Sequence, residues 1–133
     1  MAARRSVAAP ADDRGSSPVE FVLVGALLTV LTLAVLQFGL AVYIRNVVHD
    51  AAVEGAYHAA LADTSLAEGA ARTTRIIART VGDEYATAVS VRERDLGGPA
   101  VEVTVRATLP LVGLLGAAGM LEVSAHAPLE SLD

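Results

Sequence analysis

"FVLVGALLTVLTLAVLQFGLAVYI", residues 21–44, is a run of 24 positions without a charge, interrupted only by Thr29, Thr32 and Gln37. As a helix rising about 1.5 Å per residue it would be roughly 36 Å long, enough to cross a hydrocarbon core of about 30 Å. A secretory signal peptide is the competing reading. Its apolar stretch is usually about 7–15 residues and ends at a small-residue cleavage site. This run is longer and leads straight into further helical sequence, so a membrane anchor at about residues 20–44 is expected.

Outward from the run, the flanks set the organisation. Residues 1–15 (MAARRSVAAPADDRG) are small, charged and proline-containing, with no apolar periodicity, and read as a leader. Arg4, Arg5 and Arg14 precede the run and Arg45 follows it. Because basic residues set orientation, this predicts a cytoplasmic N-terminus and an extracytoplasmic C-terminal part. Past the run, Ile44, Val47, Val48, Ala51, Ala52, Gly55, Ala56 and Ala59 recur at spacings of three and four, one stripe of a helix. A continuous helix from about Ser17 to Leu61 is therefore expected, within a segment 16–62. Its stripe of small residues would let a neighbouring element approach closely.

Residues 63–133 read as a small α+β domain. Ser65 and Glu68 have capping-box spacing after a break at Asp63-Thr64, and Leu66, Ala70, Ile77 and Val81 form a second helical stripe. The period then changes to two. Val101, Val103, Val105, Ala107 and Leu109 alternate with Glu102, Thr104, Arg106 and Thr108, and a weaker strand surrounds Val89 and Val91. "DLGGP" (95–99) between them has the glycine pair of a hairpin turn. Leu121, Val123, Ala125, Ala127 and Leu129 alternate again, with His126 on the polar side. The fold class is α+β: a long membrane-spanning helix continuing as an amphipathic one, a second helix, and three antiparallel strands. "LVGLLGAAG" (111–119) reads equally as a short apolar helix or a loop.

Composition excludes several functions. The 133 residues carry a net charge of -5, and all ten basic residues are arginine, so no basic face is available for nucleic acid. Without cysteine there is no disulfide, thiolate nucleophile or cysteine zinc site. His49, Asp50, Glu54 and His58 lie close in sequence, but His49 and Glu54 face different directions and no HExxH arrangement is present. Nucleotide-binding and hydrolase motifs are absent too, so neither an enzyme, a cofactor, a metal nor a small-molecule substrate is expected.

One charge sits in an awkward place. Glu20 immediately precedes the apolar run, where a buried carboxylate would need a partner, although a position near the membrane surface lowers that cost. Its surroundings, Gly15-Ser16-Ser17-Pro18-Val19-Glu20-Phe21, resemble the processing site of type IV prepilins. The fuller pattern resembles the TadE-like pseudopilins of tight-adherence (Flp) pili. The matching elements are Gly15, Val19-Glu20-Phe21, the aliphatic run, Gln37-Phe38-Gly39, Tyr43, Arg45 and Ala51-Ala52-Val53-Glu54-Gly55-Ala56, spread over about a third of the chain. Gly25-Ala26 stands where a proline is often found, Gln37 replaces a common aspartate, and Val53 replaces a frequent arginine.

The resemblance implies a minor pilin-like subunit of the bacterial cytoplasmic membrane, with a single span. A prepilin peptidase would cut after Gly15, Ser16 would become the new N-terminus, and Glu20, with Phe21 beside it, would serve assembly by pairing the freed amine. Its partners would be the peptidase, other pilin-like subunits and membrane lipid. The alternative is an uncleaved single-pass anchor carrying a scaffold or secretion accessory domain, in which Glu20 is incidental.

Overall fold

The computed structural model describes residues 2–3, 15–109 and 120–131. The leader from residue 4 to 14 and the segment 111–119 lie outside the described residues. The elements are α1 (Ser16–Ala60), α2 (Leu66–Thr80), a 3-10 turn (Asp83–Tyr85), β1 (Ala88–Asp95), β2 (Pro99–Thr108) and β3 (Met120–Pro128). The expected class and element order are both present. The chain divides into two units, Met1–Leu36 and Gln37–Asp133.

In the first unit, Pro18 falls in the opening turn of α1, where its missing N–H is not needed by the helix. The apolar residues that follow make no core. Thr29 and Thr32 donate their hydroxyls to the carbonyls of Gly25 and Leu28, each at 2.8 Å, so both polar groups are satisfied within the helix.

In the second unit the remainder of α1 buries Ile44, Val48, Ala51, Ala52, Gly55, Ala56, Ala59 and Ala60. Seven of these eight belong to the expected stripe, while its Val47 is only half-buried. Ile44, the last residue of the uncharged run, is thus a core residue of the domain. α1 ends where Thr64 turns back to donate its hydroxyl to the carbonyl of His58, which also accepts from Leu61 N–H at 3.4 Å. The next helix starts on the expected capping box. The Ser65 hydroxyl accepts from Glu68 N–H at 3.2 Å, and the Glu68 carboxylate accepts from Ser65 N–H at 2.6 Å. Those bonds hold the Glu68 carboxyl below its ordinary range.

The buried face of α2 differs from the expected stripe. Ile77 is fully buried, but it is joined by Gly69 and Thr73, whereas Leu66, Ala70 and Val81 are only half-buried. The reason is the contact with α1. Gly55 and Gly69 face one another so closely that a Cβ at Gly55 would stand 2.9 Å from the Gly69 carbonyl oxygen, and one at Gly69 would stand 2.8 Å from that of Gly55. At such an approach a threonine hydroxyl fits where a leucine would not. Thr73 sits with its hydroxyl 3.1 Å from the Gly69 carbonyl and 3.2 Å from that of Ala51.

The sheet has the order β1-β2-β3, antiparallel throughout. Its first turn forms as the DLGGP stretch predicts. The Asp95 carboxylate accepts from Gly97 N–H at 3.1 Å and Gly98 N–H at 2.9 Å, and Gly97 takes φ +88°, which glycine alone adopts without strain. Val101, Val103, Val105 and Ala107 of β2 face the core beside Leu121, Val123, Ala125 and Ala127 of β3. Full burial of a valine or leucine contributes about 1.5–3 kcal/mol, so this face anchors the domain. Tyr85 caps one side of the core, and its burial pushes the phenol upward from its usual value.

Candidate functional site

Gly15 is exposed and immediately precedes α1. Among the described residues only Gly82 and Gly97 have positive φ, and a Cβ built at Gly15 would meet nothing within 4 Å. Among the described residues, neither backbone conformation nor crowding therefore asks for glycine at this position. Ser16 opens the helix. Glu20 lies in its second turn, exposed, between Val19 at 57% and Phe21 at 80% exposure. Glu20 makes no ion pair with any described residue. The structure thus brings Gly15, Ser16, Glu20 and Phe21 onto one accessible end of one helix, and among the described residues none supplies a counter-charge for the carboxylate.

The helix beyond them is equally bare. None of its most apolar window is buried, and its large side chains stay accessible from Val19 to Val42. An unscreened stripe of this length in water would be strongly unfavourable, and its length and composition are those of a membrane anchor.

The polar cluster on α1 does not converge. Glu54 turns to Arg72 of α2, accepting from its Nε at 3.0 Å and from a terminal nitrogen at 2.5 Å. His49 is exposed, and His58 is half-buried with its carbonyl taken by Thr64. Among the described residues no three histidine, aspartate or glutamate side chains gather in a metal-binding group.

Reading the sequence missed a second cluster, on the outer sheet face. Glu102 is 6% exposed although it points away from the core. Arg92 donates to it at 2.6 and 2.9 Å, Arg94 lies at 3.5 Å, and His126 Nδ1 at 3.8 Å. The Arg92 hydrogen bond holds its carboxyl below the usual range against the opposing effect of burial, and the charges of Arg92, Arg94 and His126 add to the lowering. Cross-strand register was the available signal. Asp95 opposite Pro99 places Arg92 opposite Glu102, and Glu102 in turn opposite His126. All these partners lie within one domain, so the cluster reads as a structural ladder.

Comparison with known families bears on the α1 segment. Residues 15–56 match the family model described as TadE-like protein. The match begins at Gly15, includes Glu20 and ends at Ala56, the same bounds over which the sequence elements were read. TadE-like proteins are a structural, pilus-associated kind, and the matched segment contains the candidate membrane anchor. No curated protein and no solved structure matches the chain.

Proposed function

We propose that the protein is a minor pilin-like subunit of a tight-adherence pilus or a related secretion assembly. It is inserted with its N-terminus in the cytoplasm, cut after Gly15 by a prepilin peptidase, and assembled through the hydrophobic part of α1. The observation that carries this reading is Gly15, a glycine with no conformational or packing role among the described residues, placed one residue before a helix and five before a glutamate that makes no ion pair with any described residue. Recognition by an outside enzyme accounts for the glycine. Cleavage accounts for the glutamate.

Cutting after Gly15 frees the amine of Ser16, and an ammonium is the partner a carboxylate needs at the edge of lipid. Either charge alone in an apolar assembly is penalised, whereas the pair is tolerated. Formed between neighbouring subunits, that pair would set the axial register of one helix on the next. A head-to-tail contact that repeats without closing then extends as a filament. The anchor's exposed valines, leucines and phenylalanines are the surface such packing requires.

The test is the N-terminal sequence and intact mass of the protein from native membranes. A chain beginning at Ser16, with Gly15→Arg blocking that product and Glu20→Leu leaving it processed but unassembled, is the expected outcome. A full-length chain from cells with an active peptidase would leave the protein an uncleaved anchor instead.

A further inference from the structure

Within the second unit, a depression of about 380 Å³ lies between α1 and β3. It is lined by Arg45, Asn46 and His49 from the helix and by Glu122, Val123 and Ser124 from the strand. That volume falls in the range of small-ligand sites, about 300–1,000 Å³. Farther along, Glu130 N–H donates to the Ala60 carbonyl at 3.0 Å, so β3 runs beside α1 in the same direction.

The depression collects donors. Arg45, Asn46 and His49 are exposed, and none of the three side chains makes a hydrogen bond or ion pair with any described residue. Glu122 is the one acid among the lining residues. Its carboxylate accepts from Arg106 Nε at 2.8 Å, so its charge is already matched and that of Arg45 is left over. β3 has β2 on one side only, so alternate backbone N–H groups along its other edge lie outside the strand pairing. A guanidinium fork, a primary amide, an imidazole and strand-edge N–H groups together suit the oxygens of a phosphate.

The same stretch of α1 marks a membrane boundary inside the second unit. Phe38, Leu40, Val42 and Tyr43 are apolar or aromatic and exposed, and Arg45 is the first charge after them. A tyrosine followed by an arginine at the end of an apolar helix is the pattern of a membrane–water interface. His49 lies about 7 Å along the helix from Ile44. The polar layer on each side of the hydrocarbon core is itself roughly 5–7 Å deep. Arg45 to His49 therefore stand at the depth where lipid phosphates lie.

We propose that this depression is a phosphate site: Arg45, with Asn46, His49 and the edge of β3, holds the phosphate of a phospholipid headgroup. This rests on α1 as a membrane anchor and is independent of cleavage at Gly15. Such a bond would hold the domain on the membrane surface while the protein stays in the bilayer.

The test places the full chain in nanodiscs of digalactosyldiacylglycerol, a neutral lipid without phosphate, and follows the Val123 amide and the Arg45 Nε–H by NMR. Phosphatidylglycerol is added to the bilayer in one arm and inorganic phosphate to the buffer in the other, at constant ionic strength. The expected result is a saturable shift of both signals with the lipid. Arg45→Gln should weaken the response at Val123 about tenfold, the scale of one hydrogen bond to a charged group. Arg75→Gln, at an exposed arginine of α2, should leave it unchanged. Both arginines are exposed, so the core is left intact. Saturation by inorganic phosphate but not by the lipid would overturn the headgroup as the source and assign the site to a soluble phosphate. No saturable shift in discs that hold the chain, or an equal response from Arg45→Gln, would overturn the site and leave the anchor standing. A chain that does not enter the discs would overturn the anchor, and the headgroup site with it.

Discussion

From Val19 to Val42 the large side chains of α1 stand between 40% and 80% exposed, while from Ile44 to Ala60 one face of the same helix is closed to solvent. Both stretches are apolar, and they differ in side-chain size. The first is built from leucine, valine and phenylalanine, which offer large area to lipid or to another apolar helix. The second is built chiefly from alanine and glycine on its buried face, because its neighbour is a helix at close range. Hydrophobicity alone does not say what a helix is meant to touch; residue volume along its face does.

That contrast can be broken by matched substitutions, measured as the urea midpoint of the detergent-solubilised full chain. Ile77→Ala removes a fully buried side chain opposite the second stretch and should destabilise the domain by about 3 kcal/mol, within the usual range for such deletions. Leu28→Ala, on the bare stretch, should leave the midpoint where it was. Equal effects from both would mean that the first stretch also packs on the domain.

A subtler pair exchanges glycines. Gly69→Val places atoms against Gly55 and Ala59 and should cost about 2 kcal/mol through overpacking, visible as faster amide exchange in α2. Gly25→Ala meets open space and should leave the domain unchanged, with α1 itself slightly firmer.

The smallest expected effect sharpens the comparison on the outer sheet face. The folded Glu102 carboxyl titrates below its ordinary 4.5. Its contribution is thus fully present above the unfolded value and is lost as pH falls through the folded one. Glu102→Gln should cost about 1 kcal/mol at neutral pH, a modest figure because Arg92 is 60% exposed to screening water. The difference between variant and parent should shrink as the pH falls below 4.5. A gap that widens on acidification would contradict the assignment.

Much of this was legible in the residues themselves. The expected helix, Ser17 to Leu61, differs from α1 by one residue at each end. The capping box at Ser65 and Glu68, the turn at Asp95 to Gly98, and the alternation of β2 and β3 are local patterns, and each forms as read. The candidate segment from Gly15 to Phe21 was equally visible, because its signal is a short contiguous motif.

What stayed hidden has a common cause. Gly69 and Thr73 carry no hydrophobic signal, yet they face the core because Gly55 lets the two helices approach. Glu102 reads as a solvent-facing strand residue, yet three basic neighbours from adjacent strands cover it. The sequence by itself determined the anchor, the element order and the candidate segment, since all of these depend on side-chain chemistry repeated at short range. Only the tertiary structure decided which face of α2 is buried, where Glu102 finds its partners and how β3 aligns with α1. Those outcomes depend on distances between residues far apart in the chain, and no local period encodes them.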